Sequence, residues 1–102
     1  MLKSSGNVFA DLKVSNAEEK QTKVRLAVAI NQVLERKRLS QAKAAGMLKI
    51  NQPKVSALAN YQLAGFSVER LMTFLNALGQ EIEIVIRRPR SGRVARIHVT
   101  AA

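Results

Sequence analysis

The stretch QAKAAGMLKINQPKVSALAN at 41–60 constrains the fold of this chain more than any other segment. It divides into two short helical runs with only Lys49-Ile50 between them, too little for anything but a tight turn. Two short helices crossing this closely need small side chains at the contact, and Ala44 with Ala45 provide them. Leu48, Ile50, Val55 and Leu58 then give the pair an apolar side that must be buried against further helices. Ser40 and Asn51 stand where each run needs an N-cap. Pro53 falls in the first turn of the second run, where a missing N–H costs nothing.

The flanking sequence supplies those further helices. Asn16 with Glu19 has capping-box spacing, and Leu26, Ala27, Ile30, Val33 and Leu34 recur at helical intervals along one stripe. Arg36-Lys37-Arg38 closes that helix, either as a charge cluster at the carbonyl end of the dipole or as a phosphate-contacting group. Val55, Leu58 and Ala59 are the expected inward positions of the second short run, and 61–65 reads as a loop. A last helix opens at Ser67, with Phe66 placed to pack on Leu71 as a staple. Val68, Leu71, Met72, Leu75 and Leu78 form its core stripe, and Gly79 ends it. Beyond Gly79 the apolar period becomes two: Ile82, Ile84 and Ile86, then Ala95, Ile97 and Val99, around a turn signal at 89–92. An isolated hairpin is marginal in water, so these strands are expected to lie on the helical domain or to pair with another chain. The expected plan is a mainly α domain of about four helices at 16–79, preceded by an arm at 1–15 that docks by Phe9 and Leu12. Residues 80–102 are expected to form a C-terminal β-hairpin.

Composition removes most function classes. The chain has no cysteine, which excludes disulfide scaffolds, thiol catalysis and cysteine-ligated zinc. His98 is its single histidine, so no histidine pair exists for a metal, and it reads as a strand residue without special role. The glycines are scattered and form no phosphate loop. No enzyme, cofactor or metal is therefore expected. The 102 residues suffice for one domain, and 47% hydrophobic content is too high for a disordered basic tail. No run approaches membrane-spanning length and no signal peptide is visible, so a soluble, cytoplasmic, nucleoid-associated protein is expected. With 17 Lys+Arg against 7 Asp+Glu, the net charge of +10 favours a polyanionic partner.

A helix-turn-helix at 41–60 gives that charge a specific use. Gln52, Lys54, Ser56 and Ala57 are expected on the outer face of its second helix. Gln pairs bidentately with adenine, Ser bonds base or phosphate, and Ala lets the helix settle against a thymine methyl. Arg87, Arg88, Arg90, Arg93 and Arg96 either solubilise an edge strand or track DNA backbone.

The segment from Leu39 to Leu58 resembles the helix-turn-helix of the XRE, phage-repressor-like, transcriptional regulators. GNVFADL at 6–12, NAEEK at 16–20, GFSVERLMTFLNALG at 65–79 and EIEIVIR at 81–87 resemble the subfamily containing HigA-type antitoxins. The resemblance implies a phosphate contact for Gln41, which would also brace Gln52. It places Asn51, Gln52, Pro53, Ser56 and Ala57 toward the major groove, with Lys43 and Lys54 flanking phosphates and Asn60 at the end of the reading helix. Three departures stand out. Lys49 occupies a turn position where the family has Gly for its positive φ. Asn60-Tyr61-Gln62 replaces an arginine-rich segment. Lys13 and Ser15 stand in place of Gly and Pro. The implied function is a sequence-specific repressor that binds double-stranded DNA as a homodimer and serves as the antitoxin to a RelE-like toxin. The alternative is a protein-interaction module that neutralises such a toxin with little DNA specificity of its own.

Overall fold

The computed structural model of the protein describes residues 16–101. Four helices make the domain: α1 (Asn16–Arg36), α2 (Gln41–Leu48), α3 (Gln52–Ala59) and α4 (Val68–Ala77). None is long and apolar enough to cross a membrane. The expected arm at 1–15 lies outside the described residues. Because Asn16 is itself the first helical residue of α1, the position that caps it lies outside them too. Glu18 and Glu19 fill the first turn, where negative charge suits the dipole. Glu19 also pairs with Lys23 one turn on, at 3.7 Å.

The three remaining helix starts follow the sequence closely. Ser40 Oγ accepts from the Lys43 N–H at 3.1 Å, Asn51 Oδ1 from Lys54 N–H at 2.9 Å, and Ser67 Oγ from Arg70 N–H at 3.1 Å. The helix ends share one device. Each chain end wraps back so that an N–H reaches a carbonyl five residues earlier: Leu39 to Leu34, Ile50 to Ala45, Gln62 to Ala57 and Gln80 to Leu75. Such wraps need a left-handed residue just before the donor. Arg38 (φ 54°), Lys49 (φ 58°), Tyr61 (φ 59°) and Gly79 (φ 83°) fill those places. Only the last is glycine, so three of the four wraps carry the steric cost of a Cβ in the left-handed region.

Packing joins α1 to α4 and α2 to α3, with α1 also touching α3 and α2 touching α4. The core is aliphatic except for Phe66 and Phe74, whose rings meet edge to face at 5.8 Å. Every residue of the expected α1 stripe is buried, as are Ala44, Leu48, Val55, Leu58, Leu71, Leu75 and Leu78. Leu63 and Phe66 are buried as well, and a turn bond from Phe66 N–H to the Leu63 carbonyl closes the loop that carries them. One expected inward position is corrected. Ala59, read as inward, is exposed, whereas Ala57 is half-buried against the core.

The expected β-hairpin does not form within the chain: residues 80–101 contain no strand. Its turn does, with Arg93 N–H bonded to the Arg90 carbonyl at 2.9 Å and Gly92 at φ 83°. Beyond this turn, no backbone hydrogen bond joins the two arms among the described residues. Ile82 packs on the helical core from one side of the turn, and Ile97 with Val99 from the other. The Ile97 N–H, a donor that a ladder would use, goes to Glu18 Oε1 on α1 at 3.0 Å.

Candidate nucleic-acid interface

α3 presents its first turn to solvent. Gln52, Pro53 and Lys54 are exposed, and Ser56 is half-buried. The inward side of the same helix, Val55 and Leu58, is among the most completely buried parts of the molecule. A short helix held this way is a rigid support for outward side chains. Its far end is also fixed: the Asn31 amide on α1 donates to the Leu58 carbonyl at 3.2 Å. Asn60 folds back over this end, its Nδ2 donating to the Ser56 carbonyl at 2.9 Å and to Ser56 Oγ at 3.4 Å.

α2 crosses behind α3, with Gln41 and Lys43 exposed at its N-terminal turn. Between Glu35 and Glu69 the sequence has no acidic residue, while Arg36, Lys37, Arg38, Lys43, Lys49 and Lys54 all fall there. The exposed surface of α2, α3 and their turns therefore carries positive charge alone, which suits a polyphosphate. A shallow groove runs along α3, bounded by Pro53, Lys54 and Ala57 on one wall and by Gln62, Ala64 and Gly65 of the following loop on the other. Among the described residues no group of acidic or imidazole side chains is arranged to hold a metal.

A family model described as a helix-turn-helix domain matches residues 8–87, a span that takes in all four helices. A solved structure bearing the name of the XRE family of transcriptional regulators is 68% identical. It superposes with a TM-score of 0.82, over 86% of this chain and 100% of the other. The chain belongs to the XRE-type helix-turn-helix family. No curated protein matches it. Helix-turn-helix regulators of the XRE type bind DNA and are not enzymes. In this XRE-type chain the matched span stops at Arg87, so the turn at 90–93 and the segment that returns to Glu18 lie beyond it.

Most of the residues singled out from sequence are exposed on the XRE-type motif: Gln41, Lys43, Asn51, Gln52, Pro53, Lys54 and Asn60. Gln52, Pro53 and Lys54 share the open first turn of α3, and Asn51 is exposed just ahead of them. The Asn51 carbonyl oxygen is occupied by capping, which leaves its amide nitrogen as the outward group. Ala57, expected on the outer face, is half-buried against the core and lines the groove beside Pro53 and Lys54. Three features escaped sequence reasoning: the clamp from Asn31 to Leu58, the second groove wall at Gln62, Ala64 and Gly65, and the left-handed Tyr61 that turns the chain into that wall. Asn31, a polar residue between the buried Ile30 and Val33, is the one signal that sequence offered.

Proposed function

We propose that this chain is a sequence-specific repressor that inserts α3 into the major groove of its operator and works as a homodimer. The observation that carries the reading is the open first turn of α3, fixed on a buried base within a stretch of chain lacking any acidic residue. Gln52 is the principal base-reading residue, matched to adenine, and Ser56 contributes from the half-buried flank. Gln41, Lys43 and Lys54 hold phosphates on either side. Asn51 and Asn60 bound the reading helix, Pro53 opens it, and Ala57 lets it approach closely. An eight-residue helix is only about 12 Å long and reads a single half-site. Two copies on half-sites about one helical turn apart supply the specificity that one lacks. Such a protein acts in the cytoplasm, at the nucleoid.

A second role, as antitoxin to a RelE-like toxin, rests on the resemblance of 65–79 and 81–87 to HigA-type chains and on the apolar residues left exposed at 84–86. In this reading residues 16–79 are the DNA-binding unit, residues 1–15 an arm, and residues 80–102 the part that dimerises or contacts a partner. Footprinting on the promoter DNA upstream of the chain's own gene tests the first role. Protection of two patches about one helical turn apart is the expected result, and uniform protection without preferred bases overturns it. Co-expression with a small ribonuclease encoded next to it tests the second: rescue of growth supports it, and continued growth arrest removes it while leaving DNA binding intact.

A further inference from the structure

Among the described residues, 84–86 form a run of three large exposed apolar side chains. Ile84 is 74% exposed, Val85 56% and Ile86 93%. Ile82, which begins the same alternating row, is half-buried against the helical core. The isoleucine face thus starts on the core at Ile82 and becomes exposed at Ile84 and Ile86, with no described residue burying it. We infer that this segment is a β-strand that pairs antiparallel with the same segment of a second copy, centred on Ile84.

Charge and side-chain direction select both the occupant and the register. Directly opposed residues in an antiparallel pair point to the same side. To keep the isoleucine rows of both copies on one face, the two-fold axis must pass through a residue. Centring on Glu83 sets two like charges opposite each other, which is unfavourable. Centring on Val85 sets Arg88 opposite Ile82, on the side that faces the core. Centring on Ile84 avoids both. Ile84 then meets Ile84, Ile82 of each copy meets Ile86 of the other, and on the opposite side Glu81 meets Arg87 twice. Glu83 lies diagonal to both Arg87 and Glu83 of the other copy, two opposed contributions, so the directly opposed Glu81–Arg87 pairs decide the register. A segment whose first half is acidic and whose second half is basic complements itself when reversed. Each partner's Ile86 would be carried inward beside the Ile82 already seated on the core. The proposal rests on the homodimeric reading of function and adds to it the surface and register.

The absence of any cysteine makes the test direct. The full chain is first sized by sedimentation at micromolar concentration, where a dimer is expected. Ile84→Cys is then oxidised with diamide and run on a denaturing gel beside Ile86→Cys. With opposed Cα atoms about 4.5–5.5 Å apart at the axis, within the Cα span that a disulfide bridges, Ile84→Cys is expected to convert mostly to covalent dimer. Ile86→Cys, whose two copies lie four residues out of register, is expected to cross-link at least tenfold less although residue 86 is the more exposed. Glu81→Arg is expected to raise the dimer dissociation constant about three- to thirtyfold. Adding Arg87→Glu to that variant should restore it, which a merely damaged fold would not do. A monomeric wild-type chain overturns the inference. So does a dimer in which residue 84 cross-links no better than residue 86, a result that places the dimer contact, or a different protein partner, elsewhere. Anisotropy titration of a fluorescent promoter duplex, run in parallel, separates these failures from failure of the DNA-binding reading: operator preference without cross-linking at 84 leaves that reading standing.

Discussion

The side-chain amide of Asn31, midway along α1, donates to the Leu58 carbonyl near the end of α3 at 3.2 Å. It is a side-chain bond from the scaffold to the backbone of α3, and the same carbonyl also accepts the Tyr61 N–H at 3.2 Å, so Asn31 adds a second donor at the end of that helix. Asn31→Ala should cost about 0.5–1.5 kcal/mol of stability. Because the seat of α3 is loosened while its charges remain, affinity for the operator should fall more than affinity for random duplex. Asn31→Asp, which points a carboxylate at a carbonyl, should be worse on both counts. Thermal melts and paired anisotropy titrations measure this; an equal loss on both duplexes would contradict the positioning role.

A second long-range bond, from Ile97 N–H to Glu18 Oε1, ties the last segment to the first turn of α1. Val94, Ala95, Arg96 and His98 line the shallow cleft it closes, together with Ala17, Gln21 and Arg25. Glu18→Ala should free this segment, and trypsin should then cleave after Arg93 and Arg96 several times faster. Glu19→Ala removes the neighbouring first-turn charge without touching the tether. The expected result for it is an unchanged cleavage rate, so matched acceleration in both variants would point to general fraying of α1.

The helical plan was legible because its signals are local. Ser40, Asn51 and Ser67 cap as their side chains dictate, and the α1 stripe is buried as its spacing requires. Where sequence reasoning failed, the deciding partner was distant. Alanine reads alike on either side of a helix, and only the packed core shows Ala57 half-buried and Ala59 in water. The alternation after Gly79 shows in burial only at Ile82, Ile97 and Val99, half-buried between exposed neighbours, while Ile84, Ile86 and Ala95 of the same expected faces are exposed. Periodicity names a face, however, not a partner, and a carboxylate 79 positions away took the donor that a strand would have used. The left-handed Arg38 and Tyr61 were invisible for a similar reason: no glycine marks them.

Strain at the turn of the motif can be removed. Lys49 holds φ 58° and ψ 44°, a left-handed conformation that glycine adopts freely. Lys49→Gly should stabilise the domain by about 1 kcal/mol, raising Tm by about 4–8 °C. Gly46, inside α2, has nothing within 4 Å of where a Cβ would stand. Gly46→Ala should add about 0.5–1 kcal/mol by reducing the freedom of the unfolded chain. Calorimetric melts of the two single variants test both, and a fall in Tm for Lys49→Gly would mean that its side chain contributes more than its backbone costs.

Base reading and phosphate holding should separate by residue. Gln52 stands on the exposed first turn of α3, whereas Lys43 is exposed on the first turn of α2. A lost bidentate base contact changes affinity for one sequence, and a lost phosphate contact changes affinity for all. Gln52→Ala should therefore cost about 1–3 kcal/mol on the operator and little on random duplex, with the salt dependence unchanged. Lys43→Ala should weaken both duplexes alike and flatten the log–log salt slope by about one unit per protomer. Measuring both variants on both duplexes across a salt series decides the assignment. If Gln52→Ala flattens the slope, or Lys43→Ala relaxes preference for the operator, the two roles are reversed and α3 is not the reading helix.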